Sequence, residues 1–145
     1  MKKIILFLLF LPGVLVAQEV KWMTFEEAIA AQKKAPKKII MDVYTNWCGP
    51  CKLMDKKTFQ HPDVAAYINK NFYAVKFNAE GNEELIYKGK TYTNPYFKPE
   101  LANERNYQHQ FAEYMQIMAY PSVVFLDEKG EFISPVTGYK SPKQM

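Results

Sequence analysis

Sulfur that can cross-link is nearly absent from this chain. Of its 145 residues only two are cysteine, Cys48 and Cys51. A disulfide between residues this close closes too short a loop to restrict the unfolded chain much, which excludes a stapled fold. Arginine occurs once, at Arg105, and histidine twice, at His61 and His109. One arginine and no basic stripe exclude an electrostatic nucleic-acid surface. A zinc site would need two ligands besides the cysteines, and the two histidines lack ligand-like spacing. Internal repeats and low-complexity segments are absent too. The lone cysteine pair therefore acts by opening and closing, which is thiol–disulfide chemistry.

What is present begins with a leader. Lys2 and Lys3 precede an unbroken apolar run, Ile4 to Leu11; Pro12-Gly13 breaks it, and Val14-Leu15-Val16-Ala17 offers a small residue for cleavage before Gln18. This is the layout of a secretory signal peptide. The competing reading is an uncleaved anchor, but the run is shorter than the roughly 20 residues a spanning helix needs. The absence of a cysteine after the proposed cut argues against a lipid-modified N-terminus. Residues 1–17 are thus read as a signal peptide and 18–145 as one domain, exported to the periplasm. The leader removes two of the 19 basic residues and none of the 15 acidic ones, so little net charge remains. In an oxidising compartment paired cysteines normally become structural; here the only pair has redox spacing.

Thr24-Phe25-Glu26-Glu27 is a capping box opening a helix that Pro36 ends. Lys38 to Thr45 reads as a buried strand, with Ile39, Ile40, Met41 and Val43. Pro50 suits the first turn of a helix from about Cys48 to Thr58. A second helical segment follows the His61-Pro62-Asp63 break and runs to Lys70, and Phe72 to Asn78 is the next strand. Leu85 to Tyr92 reads as a short hairpin and 94–103 as loop. The apolar spacing of Phe111, Tyr114, Met115 and Met118 predicts a helix from Tyr107 to Met118. Pro121 opens a strand over Ser122 to Leu126, and Phe132 to Gly138 returns, with Pro135 marking a bulge or an edge. Ser141-Pro142-Lys143-Gln144 reads as a helix cap and first turn, and the expectation is that a last helix is missing from this sequence. The order is α-β-α-β, an insert over about 81–109, then α-β-β. It implies parallel pairing early and an antiparallel hairpin late.

Cysteines at i and i+3 in a first helical turn face one way, at a separation a disulfide tolerates. Free N–H groups and the positive dipole end stabilise the first thiolate. Cys48 is therefore the expected exposed nucleophile and Cys51 the resolving thiol. Asp42 lies six residues before Cys48 in an apolar strand. Two readings of it stand: a carboxylate raised towards neutrality by burial, fit to take the Cys51 proton, or a strand residue facing solvent.

The stretch Ile40 to Lys52, containing Trp47-Cys48-Gly49-Pro50-Cys51, resembles the active-site strand and helix of thioredoxins. Lys76-Phe77-Asn78, Tyr120-Pro121-Ser122, Gly130 and Gly138 extend the likeness over most of the chain. Lys52-Leu53-Met54 through Thr58-Phe59 to Pro62-Asp63-Val64 is similar to the exported thioredoxin-like branch. The resemblance implies an α/β thioredoxin-like fold, a central mixed β-sheet flanked by helices, with the insert before the cis-proline strand. It also implies a protein-disulfide reductase, with no cofactor or metal, acting on disulfide-containing exported proteins and recharged by a membrane disulfide reductase. In that picture Cys48, Cys51 and Asp42 are catalytic, and Lys76 accompanies Asp42 unless it is a plain solvated lysine. Trp47, Gly49, Pro50, Tyr120 and a cis Pro121 form the substrate face. Tyrosine at position 120 departs from the common thioredoxin pattern and bears on substrate preference. Gly49-Pro50 puts no charge between the cysteines, which favours donation of electrons over oxidation or isomerisation. A non-catalytic binding module is the remaining rival. In the insert, Tyr87, Tyr92, Tyr96, Phe97 and Tyr107 either pack onto the domain or line a partner surface. His109 reads as a helix-cap or surface histidine.

Overall fold

A two-residue strand that the sequence pattern does not announce, β1 (Trp22–Met23), begins the ordered elements. A computed structural model describes residues 18–145, so the leader expected over 1–17 lies outside the described residues. Thr24 caps α1 (Phe25–Lys34): its side chain accepts from the Glu27 N–H, and Glu27 answers to the Thr24 N–H. Then come β2 (Lys38–Tyr44), α2 (Gly49–Met54), a π-helical turn (Asp55–Phe59), α3 (Pro62–Asn71) and β3 (Phe72–Asn78). The insert contributes the hairpin β4 (Leu85–Tyr87) and β5 (Lys90–Tyr92) and a 3₁₀ turn at Pro99–Leu101. The chain continues through α4 (Gln110–Tyr114), β6 (Ser122–Leu126), β7 (Phe132–Thr137) and a 3₁₀ turn at Pro142–Gln144.

The main sheet has the order β1-β3-β2-β6-β7. β1 and β2 run parallel to β3, β6 runs antiparallel to β2, and β7 antiparallel to β6. This is the mixed α/β sheet that the element order implies. β7 is an edge strand, and Pro135 opposes Val124 beside a register shift between Val124 and Leu126. A proline is tolerated there because an edge strand has a side that needs no N–H donor.

Strand parity decides which side chains reach which core. Ile39, Met41 and Val43 of β2 join a core with Phe25, Phe77 and Phe111. Ile40, of opposite parity, joins Met54, Phe59, Val64 and Ile68 beneath α2 and α3. Asp42 shares Ile40's parity, so its carboxylate emerges on the α2 side of the sheet. Register then supplies its neighbours: Lys76 on β3 and Val123 on β6 both pair with Asp42.

The helix expected over Tyr107–Met118 is shorter, Gln110–Tyr114. His109 is extended and ends it on the N-terminal side, its ring nitrogen accepting from the Phe111 N–H. At the other end Gln116 takes φ +57°, with Gln116 N–H to Glu113 C=O and Ile117 N–H to Ala112 C=O. Those two bonds form a Schellman stop, a local device that overrides the apolar spacing beyond it. His109 is a cap, as one of its readings had it, but fully buried instead of on the surface. The insert tyrosines divide. Tyr87 and Tyr92 pack against Phe111 in the core, whereas Tyr96 and Tyr107 stay exposed.

Candidate active site

Cys48 occupies the N-cap of α2, and its sulfur accepts the Cys51 N–H at 3.2 Å. The two cysteines are disulfide-bonded with their Cα atoms 5.3 Å apart. Gly49 and Pro50 between them are exposed. Cys48 is not: only 2% of it meets solvent, against 5% for Cys51. The expectation of an exposed first cysteine is therefore corrected for this oxidised state. The insert, and Glu80 just before it, hold the two residues that precede Cys48. Asn46 Nδ2 donates to the Ala102 C=O at 2.8 Å, and Trp47 Nε1 donates to Glu80 Oε2 at 2.6 Å. The Arg105 guanidinium lies 4.4 Å over the Trp47 ring.

Behind the disulfide, Cys51 lines a cleft of about 370 Å³ with Asp42, Thr45, Asp55, Lys76 and Asn103. Asp42 is 2% exposed, and its Oδ1 has no hydrogen-bond partner. Its Oδ2 lies 3.7 Å from Lys76 Nζ, but that ammonium is held closer, at 2.6 Å, by Asp55 Oδ1. Asp55 Oδ2 in turn accepts from Gln60 Nε2 at 3.1 Å. Burial raises the Asp42 carboxyl to about 7; Lys76 opposes the shift and Asp55 adds to it. The second reading of Asp42, a carboxylate facing solvent, is thus overturned.

The Tyr120–Pro121 peptide is cis. Ser122 pairs with Val43, which brings Pro121 to the end of β2 from which the active-site loop leaves. The Tyr120 ring meets Trp47 edge-on, centroids 6.0 Å apart. Burial, with the Glu80 charge, pushes the Tyr120 phenol up to about 12, so it stays protonated. One end of the sheet therefore gathers Asp42, Trp47, Cys48, Cys51, Tyr120 and Pro121. Three neighbours have no place in the sequence reading. Asp55 was within reach of it, since it lies at i+4 from Cys51 and so shares its helix face. Glu80 and Arg105 come from loops, where no periodicity points inward.

A family profile described as a thioredoxin-like domain matches residues 25–145. The thiol:disulfide interchange protein DsbD of Pectobacterium atrosepticum is 24% identical over 117 residues, or 79% of this chain. The chain spans only 16% of that protein's length. Among solved structures, a DsbH oxidoreductase superposes with a TM-score of 0.61 at 16% identity, covering 91% of this chain and 81% of that one. A putative disulphide-isomerase from Bacteroides thetaiotaomicron superposes with a TM-score of 0.57 at 25% identity, covering 88% and 87%.

Proposed function

The chain belongs to the thioredoxin-like domain family, and on that premise we propose that it is a thiol–disulfide oxidoreductase that reduces disulfides of exported proteins. The carrying observation is the Cys48–Cys51 pair at a helix start, with Cys51 on the cleft that also holds a carboxyl titrating at about 7.

In the reduced protein the Cys48 thiolate attacks one sulfur of a substrate disulfide. A mixed disulfide forms, and the other substrate sulfur leaves as a thiolate that takes a proton from water. Asp42, near half-ionised at neutral pH, takes the Cys51 proton through the cleft. The Cys51 thiolate then attacks Cys48 Sγ, releasing the second substrate thiol and leaving the oxidised pair. Two electrons pass to the substrate, so a dithiol donor must return them; a membrane disulfide reductase fits that role. Trp47, Gly49, Pro50, Tyr120 and Pro121 surround the attacked sulfur as the substrate face. Export rests on the charged and apolar pattern of residues 1–17 and on similarity to an interchange protein. Among the described residues no helix is long and apolar enough to cross a membrane.

Similarity to a putative disulphide-isomerase supports a second reading, in which the same exchange shuffles disulfides. A protein-disulfide reduction assay run beside a scrambled-substrate refolding assay separates the two. Cys48→Ser is expected to abolish exchange and Cys51→Ala to accumulate a stable mixed disulfide on Cys48. Failure of the parent protein to reduce any disulfide, with no trapped partner, would return the chain to the binding-module reading.

A further inference from the structure

The chain's single arginine stands over Trp47, the residue before the nucleophile, and outside any ion pair among the described residues. Arg105 is exposed, and among the described residues no carboxylate lies within 4.0 Å of it. Its guanidinium nonetheless lies over the Trp47 indole, 4.4 Å from the ring centroid. Its N–H groups form no ion pair among the described residues, and a guanidinium is a planar fork that matches a carboxylate.

The backbone that carries Arg105 is tied down on both sides. Asn106 closes a strap over 98–106 on itself, its side chain accepting from the Lys98 N–H at 3.0 Å and donating to the Lys98 C=O at 2.8 Å. Its own N–H donates to Glu80 Oε2 at 2.9 Å, the same oxygen that receives the Trp47 indole N–H. On the other side the Ala102 C=O holds Asn46. Glu80 is thus the hinge pin of this assembly: one carboxylate oxygen joins the strap to the residue before Cys48. The result is a cation over the Trp47 ring whose backbone is tied to the two residues that precede Cys48.

We propose that Arg105 is a specificity-determining residue that selects disulfide partners bearing an Asp or Glu carboxylate beside the attacked cysteine. The inference rests on the oxidoreductase reading above. A substrate segment lying across Trp47 towards Tyr120 would present its side chains to the guanidinium N–H groups. Glu100 and Glu104 are exposed on the same strap, so the charge that selects is the single oriented guanidinium and not a basic field.

The test uses the reduced protein and two disulfide peptides of one sequence, with Glu on both sides of the attacked cysteine in one and Gln in the other. Each rate is divided by that with dithiothreitol, which cancels the effect of Glu on the leaving thiol. The Glu peptide is expected to react roughly three- to tenfold faster at low salt, an advantage that shrinks as salt is raised. Arg105→Gln should bring the ratio of the two rates close to one, and an unchanged urea midpoint shows that the variant is folded. Arg105→Lys, which keeps the charge without the fork, should retain only part of the preference. Equal rates for the two peptides with the parent protein, or a preference that survives in Arg105→Gln, would overturn the proposal. If neither peptide reacts with the parent protein, the oxidoreductase reading falls and this inference with it.

Discussion

Asp42 holds its proton up to about pH 7 because burial outweighs the pull of Lys76, whose ammonium is engaged by Asp55. In the unfolded chain the same carboxyl ionises near about pH 4. Between those values the folded protein keeps a proton that the unfolded chain has released, so stability falls as pH rises through this window and levels off above it. Asp42→Asn removes that loss. It should raise stability little at about pH 4 and by roughly 2–4 kcal/mol above pH 7, read by urea unfolding of the oxidised protein at several pH values. A gain independent of pH would contradict this. Asp55→Asn acts on the same carboxyl from the other side. It deletes a charge that raises Asp42 and frees Lys76 to turn towards it, so the pH midpoint of the rate at which Cys51 resolves a mixed disulfide on Cys48 should drop by about half to one pH unit. An unchanged or higher midpoint would refute the coupling. Asp42 was legible in sequence as a carboxylate in an apolar strand. Its buried orientation was not, because parity fixes a face only once the sheet's layers are known.

Local chemistry explains which elements could be read. The α1 capping box and the apolar runs of β2, β3 and β6 carry their signals within a few residues, and the structure places them where the pattern does. α4 shows the limit, since its apolar spacing continues past Tyr114 while the backbone turns left-handed at Gln116. A glutamine announces no such stop, whereas glycine would have. Gln116→Gly should therefore stabilise the protein by about 0.5–1 kcal/mol by relieving a side chain at positive φ, measured as a shift in the urea midpoint. A loss of stability would mean that the Gln116 side chain does more than occupy the turn. After α2, the π-helical turn at Asp55–Phe59 was equally silent in sequence, yet it carries the carboxylate that holds Lys76.

At the scale of the whole molecule the sheet order and the gathering of both cysteines, Asp42 and Pro121 at one end follow from a few registers. The element order and the motif made that much legible. The docking of the insert was not legible, because it depends on single long-range contacts: Asn46 to Ala102, Trp47 to Glu80 and Glu80 to Asn106. None has a period, so no pattern in the sequence announces it. We infer that this pair interconverts between dithiol and disulfide and gives its electrons away, since Gly49-Pro50 puts no charge between the sulfurs to stabilise the reduced form. The most direct measurement is the reduction potential of the Cys48–Cys51 couple, by equilibration against a dithiol buffer of known ratio. A value close to that of thioredoxin, about −270 mV, is expected; a value near that of a strong oxidant, about −120 mV, would contradict electron donation by this pair.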